Sequence, residues 1–146
     1  MSDWQQHLID DTAAITAILD RVRRIAVLGI KTEETGAPAY YVPEYTQRAG
    51  YEVIPVPVYH PEATEILGAP VYRTLAAVPP PVDMVNVFRR AGDIPPHVDD
   101  ILAARPSVVW MQSGIRNAAV AERLAKEGID VVQDRCLLVE LQRRGR

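Results

Sequence analysis

Short apolar runs alternate along this chain with segments of helical periodicity. The apolar runs lie at residues 24–29, 51–58, 82–88, 107–111 and 130–132. Their length and β-branched composition are typical of strands buried on both faces of a sheet. The segments between them predict helices at about residues 38–50, 94–104, 116–127 and 135–143. Strands that alternate with helices of this length predict right-handed crossovers and a mostly parallel sheet.

Residues 1–22 predict an additional amphipathic helix that packs on the domain. Trp4, Leu8, Ile15, Ile18 and Leu19 recur at near-helical spacing, with acidic residues between them. The 146 residues have room for one domain with a real hydrophobic core. We therefore expect a single α/β domain over residues 1–146, a Rossmann-like three-layer sandwich. Its mostly parallel sheet would have about five strands and carry helices on both faces.

The prolines cluster where elements are predicted to begin and end. All twelve lie between Pro38 and Pro106. Pro38 suits the first position of a helix, where an N–H would have no partner. Pro43 lacks an N–H that the helix interior requires, so it predicts a shortened or kinked helix start unless the first turn begins near Tyr40. We expect the clustered prolines to hold the loops in a shape ready for a ligand.

Charge and cysteine content exclude several classes of partner. With 16 basic and 19 acidic residues the formal net charge is −3, so we expect neither a nucleic-acid nor a membrane partner. No segment approaches the roughly 20 apolar residues that span a bilayer. The single cysteine, Cys136, forms neither an internal disulfide nor a four-thiolate zinc site. Because residues 1–20 also lack the pattern of a secretory signal, a cytoplasmic location is expected.

Candidate ligand loops follow the first two strands, because ligands of open parallel sheets bind beyond the carboxyl ends of the strands. The loop from Gly29 to Gly36 leads into a helix N-terminus that favours phosphate, although an ordinary strand-to-helix turn is the alternative. It lacks both the G-x-G-x-x-G and the G-K-[ST] patterns. The second strand ends at Tyr59 and His60, without the acid that usually holds the ribose of NAD. The absence of this acid counts against NAD as the ligand.

The third and fourth strands end in residues suited to phosphate and amide groups. Phe88 precedes Arg89 and Arg90, whose planar guanidinium groups pair well with phosphate. The alternative is a core phenylalanine followed by two solvated arginines. Gln112 and Ser113 precede Gly114 without the G-x-S-x-G pattern of a nucleophile. A polar clamp on a ligand amide or phosphate is the better interpretation, and no metal site is expected.

Five blocks of sequence occur in a recognisable order between about residues 24 and 140: GYEVIPV at 50–56, ILGAPVY at 66–72 with Leu75, VDMVNVFRR at 82–90, VWMQSGI at 109–115 and DRC at 134–136. Together these blocks resemble the small stand-alone bacterial CoA-binding proteins, a family similar to the CoA-binding domain of the succinyl-CoA synthetase alpha subunit. The resemblance implies a Rossmann-like domain that binds coenzyme A or an acyl-CoA across its strand ends and carries no catalytic apparatus.

Carried over by position, the resemblance implies three groups of binding residues. The CoA phosphates would meet Gly29, Ile30, Lys31, Thr32 and Tyr40. The nucleotide side would be lined by Val56, Pro57, Tyr59, Val87, Phe88 and Arg89. The pantetheine arm would face Gln112, Ser113 and Gly114.

Two departures from the family pattern keep other functions open. The chain has Ala37, Pro38 and Ala39 where the family often has Arg-Pro-Ser, and Tyr59-His60-Pro61 where it commonly has Asn-Pro. The alternatives are a small NAD(P)-dependent enzyme or redox sensor, and a protein-interaction subunit that has lost the ligand. The sequence identifies no protein partner, and it is compatible with a monomer or a homodimer.

Overall fold

The six strands of the main sheet all run parallel to one another in the computed structural model, which describes residues 3–145. The strands of this sheet are β1 (Leu8–Ile9), β2 (Arg24–Leu28), β3 (Glu52–Val56), β6 (Met84–Val87), β7 (Val108–Met111) and β8 (Asp130–Val132), and β4 (Glu65–Ile66) and β5 (Ala69–Pro70) form a separate antiparallel hairpin. The helices are α1 (Thr12–Arg21), α2 (Pro38–Arg48), α3 (Val98–Ala104), α4 (Ala118–Lys126) and α5 (Leu137–Arg143).

The sheet has the strand order β1-β8-β7-β6-β2-β3. In its centre Leu28 pairs with both Val56 and Val87, and Val87 pairs with Met111. Four strands therefore end at the same level. The loops that follow them begin side by side along one edge of the sheet, which the fold leaves open for a ligand.

Two hydrophobic clusters, one on each face of the sheet, form the core. Ala26 and Leu28 of β2 belong to the cluster under α3 and α4, whereas Ile25 and Val27 belong to the cluster under α1, α2 and α5. This alternation within one buried strand follows from the two-residue period of β structure. The structure thus confirms the expected α/β Rossmann-like fold with helices on both faces, and it adds a sixth strand.

The N-terminal segment differs from the expected helix over residues 1–22. Residues 1 and 2 lie outside the described residues, and the segment Trp4–His7 forms a 3₁₀ turn that leads into β1. Leu8 and Ile9 pair with Val131 and Val132 of β8. Helix α1 begins only at Thr12, where the Asp11 carboxylate accepts the Ala14 N–H at 3.0 Å. The sequence pattern predicted a helix here because a two-residue strand is too short to show the two-residue period of β structure.

Two proline-rich helix starts also differ from the sequence prediction. Helix α2 begins at Pro38 and continues through Pro43 to Arg48, so the predicted shortening at Pro43 is wrong. The segment Pro95–His97 is a 3₁₀ turn, and α3 begins only at Val98.

Within residues 3–145, no helix is both long and apolar enough to cross a membrane.

Candidate functional site

The topological switch point of the sheet lies at β2, because the chain continues from β2 to β3 on one side and later to β6 on the other. Gly29 directly follows β2 and packs against the backbone that follows β6. Its φ is +88°, and a Cβ atom placed there would lie 2.4 Å from the carbonyl oxygen of Phe88. Only glycine allows the two loops to approach this closely.

A groove lies beyond these two strand ends, in the position where ligands bind to open parallel sheets. It consists of two adjoining depressions of about 270 and 390 Å³ that share Lys31, Phe88, Arg89 and Arg90. The first depression is completed by Gly29, Tyr59 and Asp93. The second is completed by small and mostly apolar residues, namely Ala37, Pro38, Ala39, Ala91, Ser113, Gly114 and Ile115. We call the two together the strand-end groove.

The strand-end groove is rich in positive charge. Within residues 3–145, neither the Lys31 ammonium nor the Arg90 guanidinium pairs with a carboxylate. Arg89 approaches a carboxylate only at 4.0 Å, where its Nη2 faces Asp93. Three cations thus face one carboxylate, an arrangement that attracts a multiply charged anion.

Arg89 is held in place by its aromatic neighbour. Its guanidinium carbon lies 5.6 Å from the centre of the Tyr59 ring, and its Nη1 donates to the Tyr59 hydroxyl at 3.4 Å. The Arg89 Nε is buried and makes no hydrogen bond within the described part of the chain. Arg89 lines both depressions of the groove, and the planar donors of a guanidinium suit phosphate oxygens.

The N-terminus of α2 forms one wall of the groove. Pro38 has no N–H, and the N–H groups of Tyr40 and Tyr41 both donate to the carbonyl of Ala37. The N–H of Ala39 makes no hydrogen bond with any of residues 3–145. This donor and the positive end of the helix dipole add to the attraction for an anion.

The structure brings half of the predicted binding residues to this groove. These are Gly29, Lys31, Tyr59, Phe88, Arg89, Ser113 and Gly114. Pro57 lines a separate depression beyond β3, and Thr32 and Tyr40 line another beside the β4–β5 hairpin. The side chains of Ile30, Val56 and Val87 are buried in the core, so any contact with a ligand would come from their backbone.

Gln112 has an internal role that its sequence position did not reveal. It is only 4% exposed, and its Oε1 accepts hydrogen bonds from the Asn86 Nδ2 at 3.3 Å and from the Leu137 N–H at 3.1 Å. The side chain therefore joins β6, β7 and the start of α5 beneath the groove. It supports the loop that presents Ser113 and Gly114.

Several groove residues were absent from the sequence-based list, namely Arg90, Ala91, Asp93 and Ile115. The arginine doublet was the available signal for Arg90, and Ala91, Asp93 and Ile115 each follow a predicted binding residue within four positions. Near this site, burial lowers the pKa of His97, and the positive charge of Arg89 lowers it further. Both effects favour the neutral form of His97.

A parallel sheet with an anion-attracting groove at its switch point defines the Rossmann-like class of ligand-binding domains. Residues 23–142 match the family described as CoA binding domain, and the chain belongs to that family.

The relatives of this chain cover nearly its full length. It is 35% identical over 127 residues to "Uncharacterized protein YneT" of Bacillus subtilis strain 168. The aligned region covers 87% of this chain and 91% of the relative. It is also similar to the structure of cell-free ID.343 from Thermus thermophilus, with 38% identity and a TM-score of 0.84 over 92% of this chain and 98% of the other. A hypothetical protein from Pyrococcus horikoshii OT3 matches with 26% identity and a TM-score of 0.83, covering 92% of both chains.

Proposed function

We propose that this protein binds coenzyme A or an acyl-CoA in the strand-end groove and does not itself catalyse a reaction. The observation that carries the proposal is the convergence of Lys31, Arg89 and Arg90 at the switch point, opposed by one carboxylate. Coenzyme A carries a pyrophosphate and a 3′-phosphate, so it requires such a concentration of positive charge. Membership of the CoA binding domain family supports the same ligand.

The two depressions of the groove differ in a way that suits the two ends of this ligand. The first holds Tyr59, a half-exposed aromatic ring beside Arg89, which offers a stacking surface to a base. The residues that line only the second depression are mostly alanine, proline and isoleucine, which suit the narrow pantetheine arm. We therefore expect the nucleotide end in the first depression and the arm in the second.

The absence of catalysis is proposed from the side chains that line the groove. Ser113 is its candidate nucleophile, and in the described residues its hydroxyl makes no hydrogen bond to a histidine or a carboxylate. Nucleophilic catalysis requires such a base within reach. The end of β3 also presents Tyr59 where NAD sites usually have an acid, which favours CoA over NAD.

Thermal unfolding with separate ligands tests the proposal. CoA or acetyl-CoA at a hundred times its dissociation constant should stabilise the protein by about 2.7 kcal/mol, which raises the midpoint by roughly 5 °C or more. NAD, NADP and ATP at the same concentration should give smaller shifts. A shift with NAD and none with CoA would show that the proposal is wrong. No shift with any ligand would favour an interaction subunit without a ligand.

A further inference from the structure

The backbone of Lys31 is fixed from two sides. The N–H of Gly29 donates to the carbonyl of Val56 in β3 at 2.9 Å, and the side chain of Ile30 is completely buried. The N–H of Lys31 donates to the carbonyl of Ala39 in α2 at 3.1 Å. The loop is thus anchored to a strand and to a helix, and the Lys31 side chain faces both depressions of the groove.

The Ala39 carbonyl is available to Lys31 because of a proline in the helix. In a regular α-helix this carbonyl would accept the N–H of residue 43, four positions further on. Residue 43 is proline, which has no N–H and whose ring pushes against the carbonyl four residues before it. Ala39 is only 6% exposed, and a buried carbonyl without a partner is costly. The Lys31 N–H fills the place that Pro43 leaves vacant.

We propose that Pro43 is a positioning residue for the ligand site. By removing the helix's own donor it reserves the Ala39 carbonyl for Lys31, and so fixes the lysine from which the ammonium reaches the groove. The effect on binding rests on the proposed function, in which Lys31 contacts a ligand phosphate. The hydrogen bond between loop and helix does not rest on it. Pro43 itself is buried and lines neither depression.

Pro43→Ala separates positioning from stability. Alanine restores an N–H to the helix interior and is a far better helix former than proline, so the melting temperature should stay equal or rise. The restored N–H competes with Lys31 for the Ala39 carbonyl, and the Lys31 amide should exchange its hydrogen faster. Loss of this one hydrogen bond should weaken the affinity for CoA by about threefold to tenfold. A purely structural role would instead lower stability and affinity together.

Pro106→Ala is the matched control. Pro106 is also buried, but it precedes β7 and therefore lies near the amino ends of the strands, whereas the groove lies at their carboxyl ends. This variant should keep the wild-type affinity for CoA and the wild-type exchange rate at Lys31. If Pro43→Ala behaves in the same way in both measurements, Pro43 does not position the loop.

Hydrogen exchange in the wild-type protein tests the same inference without any variant or ligand. The Lys31 amide should exchange much more slowly than those of Thr32 and Glu33, whose N–H groups make no hydrogen bond within residues 3–145. Equal exchange at all three would overturn the inference even if Pro43→Ala did not fold. Failure of the proposed function would appear separately, as a wild-type protein that does not bind CoA.

Discussion

Gly29→Ala is expected to abolish CoA binding and to lower the free energy of unfolding by about 2–4 kcal/mol. The positive φ of Gly29 strains any other residue, and the new methyl group would lie 2.4 Å from the Phe88 carbonyl oxygen. That oxygen belongs to the backbone and cannot rotate away. The ends of β2 and β6 would therefore separate, and with them Lys31 and Arg89. Denaturant unfolding and isothermal titration with CoA measure the two losses.

Gly128→Ala separates the close contact from the backbone strain. Gly128 has a similar φ of +82°, but no atom lies within 4 Å of a Cβ placed there, and it follows α4 away from the groove. In this control the free energy of unfolding should fall only by the conformational cost of a left-handed residue, about 1–2 kcal/mol. The variant should bind CoA normally. Equal losses of stability in both variants would show that the approach to Phe88 is not what requires glycine.

Arg89→Ala should weaken CoA binding by about tenfold to a hundredfold, the effect of losing a charge-assisted hydrogen bond to phosphate. Arg89→Lys should fall between this variant and the wild type, because it keeps the charge and loses the planar pair of donors. Isothermal titration gives each dissociation constant. Comparison with dephospho-CoA identifies the phosphate: a larger loss for CoA assigns Arg89 to the 3′-phosphate, and equal losses assign it to the pyrophosphate.

Arg48→Ala is the control for this change of charge. Arg48 lies at the opposite end of α2, where it is exposed and pairs with Glu44. The two variants change the net charge equally, so a long-range electrostatic effect would weaken CoA binding in both. If CoA binds in the strand-end groove, Arg48→Ala should bind CoA with the wild-type affinity. A loss in Arg48→Ala as large as in Arg89→Ala would contradict this expectation.

The central part of the fold was predictable because its signal is local. The strands β2, β6, β7 and β8 are short and mostly apolar runs, and the residues at their carboxyl ends share one edge of a parallel sheet. This rule placed Gly29, Phe88 and Arg89 together from the sequence alone. The N-terminal strand was not predictable in this way, because β1 is stabilised by pairing with β8, more than a hundred residues away.

Details of the site depended on contacts that no local pattern encodes. Gln112 resembled a ligand clamp because it follows a strand, yet its carbonyl oxygen is used by Asn86 and Leu137. Pro43 predicted a shortened or kinked helix start, yet the helix continues through it and the carbonyl that it leaves free is used by Lys31. In both cases a polar group that is buried by folding finds a partner outside its own helix or strand. Such pairings are visible only in the folded chain.

The most direct test of the strand-end groove is a titration of CoA into ¹⁵N-labelled protein, followed by amide chemical shifts. The largest changes should fall on Gly29, Lys31, Arg89, Ser113 and Gly114, which line the groove. Amides at the amino ends of the strands, such as those of Arg24, Asp83 and Ser107, should not move. Saturable binding that shifts these amides and spares the groove, or no binding of CoA at all, would contradict the account.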